Sequence, residues 1–142
     1  MKHLLLTTIA AVVLVGCEEA QPPEPTTTKE PDINIHKAAE KGNIEAVKQH
    51  LAAGTDVNVK DVIWLTALHH AAFEGRKEIA VLLIAAGADM NAKDVAGDTP
   101  LDYAETVYEG DSPELKAAKK ETADLLRKHG GKTGEELKAE GN

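Results

Sequence analysis

Cysteine is almost absent from this chain, and aromatic residues are scarce. A single cysteine, Cys17, stands among 142 residues. One cysteine excludes an internal disulfide and any zinc site built on several thiolates. Phe, Trp and Tyr together supply 3% of the residues, too few to line a large aromatic pocket. Positive charge is also short: 16 Lys and Arg face 24 Asp and Glu, for a net charge of -8. Nucleic-acid binding needs a basic patch to meet the phosphates, so no nucleic-acid partner is expected. The signatures of catalysis are missing as well. The sequence has no glycine-rich phosphate loop, no Ser or Cys nucleophile motif and no HExxH. Its many carboxylates include no pair marked for acid–base work. No enzyme, cofactor or metal site is expected.

Long apolar runs are also rare, and the one that exists lies at the start. Residues 1–16 read MKHLLLTTIAAVVLVG, with Lys2 as a short positive region ahead of about a dozen mostly apolar residues. That is the length of a signal-peptide core and too short for a stable transmembrane helix. The run ends in LVGC, Leu14 to Cys17. This resembles the lipobox of bacterial lipoproteins. The resemblance implies that residues 1–16 are cleaved and that Cys17 is lipidated, with two or more acyl chains for firm attachment. The family's usual inner-membrane retention signal is an aspartate after the cysteine. Glu18 stands there, so the resemblance favours the outer membrane, facing the periplasm. The alternative is an ordinary secretory signal with an unrelated cysteine.

Residues 18–31, EEAQPPEPTTTKEP, contain no large apolar residue. Such a stretch has nothing to bury against the entropy of ordering, and reads as a disordered or polyproline-like spacer. Extended at ~3.1 Å per residue, it would hold a domain roughly 40 Å from a membrane. With Cys17 it makes a tether, 17–31.

What the sequence has in abundance is repetition. HKAAEKGNIEAVKQHLAAGTDVNVKD (36–61) and HHAAFEGRKEIAVLLIAAGADMNAKD (69–94) align without a gap at an offset of 33. His36/His69, Ala38/Ala71, Ala39/Ala72, Gly42/Gly75, Asn58/Asn91 and Asp61/Asp94 are among the identical pairs. Each copy reads as a short helix stopped at a glycine, then a second helix, then an extended link. In the first copy these helices span about 34–40 and 43–53. Paired alanines let the two helices approach closely. A unit of this size cannot bury its apolar face alone, so the units must stack.

The period, and the elements GTDVNVKD, GADMNAKD and GDTPLDYA, resemble the ankyrin repeat. The resemblance spans 32–131 and implies an all-α ankyrin-repeat solenoid of about three helix-pair units joined by short β-hairpin-like loops. The units fall at about 32–61, 62–94 and 95–131. The first, opening with PDINIH, reads as an N-terminal cap. The third carries about ten extra residues within VYEGDSPELKAAKK. Ser112 as N-cap and Pro113 at the first turn predict a lengthened outer helix over Pro113–Lys128. Residues 132–142 read as a polar tail free to fray, with a short helix over 135–140 as an option.

The same resemblance assigns roles. Adjacent helical residues point roughly 100° apart, so His69 and His70 do not converge on one metal. The family implies that the His69 ring bonds backbone near Thr66 and between units, with His36 in the same place in the cap. Partner-binding residues in this family lie on hairpin tips and on the exposed side of the inner helices. That maps to Val62, Ile63 and Leu65, with Trp64 on the same tip, and to Phe73 and Glu74. It also maps to Glu40 and Lys41, and to Thr106 and Val107. Trp64, Ile63, Leu65 and Phe73 are expected to form one apolar cluster.

DVIWLTALHH (61–70) departs from its copy DVAGDTPLDY (94–103) by placing Trp64 where Gly97 stands. Two readings follow: Trp64 meets a partner, or it folds back and caps the stack. The expectation is a monomeric, membrane-tethered scaffold that binds a protein partner in the bacterial envelope. The alternative is a module for a non-protein envelope ligand, such as peptidoglycan or a small molecule.

Overall fold

The computed structural model describes residues 32–141. The signal-like run, Cys17 and the proline-rich stretch lie outside the described residues. Seven helices follow in chain order: α1 (Ile35–Lys41), α2 (Ile44–Ala52), α3 (Ala67–Phe73), α4 (Lys77–Ala85), α5 (Pro100–Glu105), α6 (Pro113–Lys128) and α7 (Gly134–Ala139). No strand occurs among the described residues.

Side-chain caps set where the helices begin. Asn34 and Asn43 accept from the N–H groups of Lys37 and Ala46 at 2.8 and 3.0 Å, and Ser112 accepts from Leu115 at 3.1 Å. Each satisfies a donor that the first turn leaves unpaired. Pro100 and Pro113 sit at first-turn positions, where a missing N–H costs nothing.

The inner helices α1, α3 and α5 pack side by side, and the outer helices α2, α4 and α6 form a second layer. Ala38, Ala39, Ala71 and Ala72 are fully buried, so the small side chains set the spacing. Leu68, Leu83, Leu101 and Leu126 fill the space between layers. Burying each such side chain contributes about 1.5–3 kcal/mol. The core is one continuous cluster from Ile35 to Leu126, as stacking requires.

Two asparagines stitch successive units by the same geometry. Asn58 Nδ2 donates to the Gly87 carbonyl at 3.3 Å, and Asn58 Oδ1 accepts from the Asp89 N–H at 2.7 Å. One period on, Asn91 Nδ2 donates to the Gly130 carbonyl at 3.4 Å, and its Oδ1 accepts from the Lys132 N–H at 2.8 Å.

In the tail the optional short helix of the sequence reading forms, as α7, and the expected fraying is corrected. Thr133 caps α7, and the helix does not fray away from the stack. Thr99 Oγ1 donates to the Lys132 carbonyl at 2.7 Å, the Gly134 N–H donates to Asp102 Oδ2 at 2.8 Å, and Leu137 is buried. Gly134 lies so close to the Gly97 carbonyl that a Cβ there would collide with it. The start of helix α7 is therefore anchored to α5 and its cap at the C-terminal end of the stack.

Candidate functional site

The two hairpins are folded by the same carboxylate device. Asp94 Oδ1 accepts from the N–H groups of Ala96, Gly97 and Asp98 at 2.8, 3.0 and 2.9 Å. Asp61 Oδ1 accepts from Ile63 and Leu65 at 2.9 and 3.0 Å. The second oxygen of each carboxylate reaches the next inner helix. Tyr103 Oη donates to Asp94 Oδ2 at 2.8 Å, and His70 Nε2 lies 2.8 Å from Asp61 Oδ2. Burial pushes both carboxyls up, but these hydrogen bonds outweigh it and hold both below the usual range. Burial, then the bond to Asp94, pushes the Tyr103 hydroxyl up.

The hairpins differ at one backbone position. Gly97 has φ 92°, and its counterpart Trp64 has φ 67°. Trp64 is the one non-glycine residue with positive φ among the described residues. The left-handed conformation costs an L residue about 1–2 kcal/mol. The turn thus keeps the glycine's geometry after losing the glycine.

Around that turn the apolar side chains face water. Val62 is 97% exposed, and Ile63 and Trp64 are each 57% exposed. Val95, the counterpart of Val62 on the second tip, is also exposed. Lys60 Nζ lies 4.9 Å from the centre of the Trp64 ring and donates to the Lys93 carbonyl at 2.9 Å. Trp64 thus rests one face on a lysine that ties the first hairpin to the second.

Two expectations need correcting. Leu65 is only 6% exposed and is not on the outer surface of the tip, because the Asp61 turn brings its N–H and carbonyl inward. The expected cluster of four is also divided. Phe73 packs edge-on against Tyr103 and Tyr108, with centroids 6.2 and 6.1 Å away. Ile63 and Leu65 join Phe73 in lining a cleft of about 370 Å³, whereas Trp64 does not line it. Of the other expected residues, Glu74 borders this cleft, Lys41 is exposed at the end of α1, and Thr106 and Val107 are exposed just after α5.

One buried charge holds the inserted segment. Lys119, on α6, is 1% exposed. Its Nζ donates to the Thr106 carbonyl at 3.1 Å and to Asp111 Oδ2 at 2.9 Å. It also lies 4.5 Å from the Phe73 ring centre and 5.4 Å from that of Tyr108. The hydrogen bond from Lys119 is the main reason the Asp111 carboxyl titrates below its ordinary value. The lysine pins the loop against the helix and seats two aromatic rings on the concave side.

His69 is buried, with Nδ1 accepting from the Thr66 N–H at 3.1 Å and Nε2 donating to the Asp98 carbonyl at 3.4 Å. That fixes a neutral ring. Burial lowers its pKa, against the smaller upward pull of the Asp98 carbonyl. In the next unit Asp102 takes the position, accepting from Thr99 N–H and Gly134 N–H. The link between units survives with donor and acceptor reversed. The family model for ankyrin repeats in three copies matches residues 35–135. The chain belongs to the ankyrin-repeat family. Ankyrin repeats mediate protein–protein interaction and are typically non-catalytic scaffolds. No curated protein matches the chain.

Within this ankyrin domain, sequence reasoning missed Tyr103, Tyr108 and Asp98 as part of the concave surface. Tyr103 had a usable signal: it stands 33 residues after His70, on the exposed side of the next inner helix. Tyr108 had none, because it lies in the insertion, where the repeat register is lost. No helix among the described residues is long and apolar enough to cross a membrane, and none of their His, Cys, Asp and Glu side chains gather in threes to hold a metal.

Proposed function

We propose that this ankyrin domain is a membrane-tethered scaffold of the bacterial envelope, and that it holds a protein partner without turnover. The partner meets the first hairpin tip, Val62, Ile63 and Trp64, and the cleft behind it. One observation carries the reading. Trp64 occupies a glycine conformation at a cost of about 1–2 kcal/mol, and more than half of its side chain stays in water. Its contact with Lys60, at an exposed site, returns only about 0.5–1 kcal/mol. A residue kept at a net cost to folding fits a role outside the fold. Exposed tryptophan beside aliphatic residues is also what interface hot spots are made of.

The tether is the second half of the proposal and rests on LVGC, Leu14 to Cys17. Cys17→Ser should move the protein from the membrane to the soluble fraction. A variant that still pellets with membranes at high salt overturns the lipid anchor. For the binding half, Val62→Asp should abolish capture of the partner that the wild-type domain retains, with unfolding unchanged. Unchanged capture overturns the tip as the contact.

A further inference from the structure

We infer that the concave cleft of this domain is built for a basic segment of its partner, one carrying Lys or Arg side chains between aliphatic residues. The inference rests on the scaffold reading above and gives the partner a chemistry. Phe73 and Tyr103 border the 370 Å³ cleft, and on their other side they border a second hollow of about 150 Å³ that ends at Tyr108. All three of the domain's phenylalanine and tyrosine rings therefore meet along one groove. The walls carry four carboxylates, of Glu40, Glu74, Asp98 and Asp102, and no lysine or arginine.

Two of those carboxylates are already used. Glu40 accepts from Lys37 Nζ at 2.8 Å, and Asp102 accepts from the Thr99 and Gly134 N–H groups. Glu74 and Asp98 make no side-chain hydrogen bond or ion pair among the described residues. Asp98, though exposed, is partly desolvated and lies near the Asp94 and Asp102 charges, and these effects raise its pKa against the smaller pull of Lys138. A cation entering the groove relieves the repulsion.

The rings have shown the same preference inside the fold. Lys119 rests against Phe73 and Tyr108 with its charge met by Asp111, so these rings already take an ammonium group as a neighbour. Ile63 at the cleft mouth offers an aliphatic contact beside the charged ones. Carboxylates around aromatic rings exclude an acidic ligand, since like charges brought together this way cost binding.

The test uses the full chain and two fluorescein-labelled peptides. One repeats Leu-Lys-Leu-Arg over three turns of sequence, and the other replaces every basic residue by Glu. Fluorescence anisotropy should show the basic peptide binding and the acidic one not. Glu74→Gln with Asp98→Asn should weaken the basic peptide by about threefold to tenfold. The control pair Glu45→Gln and Glu135→Gln removes the same charge from exposed positions off the groove and should change binding less than about twofold. Equal binding of both peptides overturns the inference. Equal losses in the two double variants also overturn it, because net charge alone then explains the attraction. If the basic peptide fails while Val62→Asp still abolishes partner capture, this inference falls and the scaffold reading stands.

Discussion

Replacing Trp64 should reverse the ordinary ranking of alanine over glycine. Trp64 has φ 67° on a turn whose sibling carries Gly97 at φ 92°. Alanine at 64 keeps the strain and loses the ring's contact with Lys60. Glycine loses the same contact but removes a left-handed penalty of about 1–2 kcal/mol, against a greater entropy loss on folding of about 0.5–1 kcal/mol. Trp64→Gly should therefore be more stable than Trp64→Ala by roughly 0.5–1 kcal/mol. Adding Ala67→Pro should contribute ~0.4–1 kcal/mol more. Ala67 is the first residue of α3, Thr66 before it is extended at ψ 166°, and Pro100 is already buried at the matching place. Urea unfolding with an unchanged slope gives these differences directly. In a thermal scan, 1 kcal/mol moves the midpoint of a domain near this size by ~4–8 °C. If Trp64→Ala equals or exceeds Trp64→Gly in stability, the turn is not strained. Trp64 is then not held at a cost to folding, and nothing marks it as kept for contact.

Other predictions follow from the packing. Lys119→Ala should cost about 1–3 kcal/mol and release the loop, because it strips the buried partner from the Thr106 carbonyl. Hydrogen exchange should show lost protection across 106–112 and little change in α2. Asn58→Ala and Asn91→Ala should each cost about 1 kcal/mol, by equal amounts, since both make the same two bridging bonds. Unequal losses would mean the two seams are not equivalent. Gly134→Ala should undock α7, seen as lost protection of the amides of residues 134 and 137 with α1 to α4 intact. His69 gives a pH signature. Its folded pKa is depressed below 6.5, so its contribution is complete above 6.5 and is lost as pH falls from there through the lower folded value. His69→Gln should flatten unfolding free energy against pH in that window. An unchanged slope would place the titration elsewhere.

The legible parts of this fold were those where one residue type has one physical use. Ser112 and Pro113 gave the start of α6 its place, since a cap and a first-turn proline have few other roles. Asn34 and Asn43 sit one residue before α1 and α2, so the expected helices were right to within a residue at their starts. Leu65 was misjudged because the register assigns a position to a tip and not a direction. Its counterpart Asp98 is exposed, whereas Leu65 tucks in. Lys119 was invisible for a related reason. A lysine on an otherwise polar helix reads as solvated, and only the fold brings Thr106, Asp111 and two rings around it. The docking of α7 was missed because its 11-residue neighbourhood, 132–142, carries Leu137 as its one large apolar residue, and what holds its start is backbone and cap hydrogen bonding. The surface was harder to read than the core, because apolar periodicity reports burial and says nothing of what an exposed side chain meets.

The central claim is that the first hairpin tip and the cleft are where this ankyrin domain holds its partner. A photo-crosslinking residue in place of Val62 tests it in intact cells. Val81 provides the control: it is also apolar and exposed, but lies on the outer helix α4. One defined protein adduct is expected from position 62 and none from position 81. No adduct at 62, or the same adduct from both positions, would contradict it.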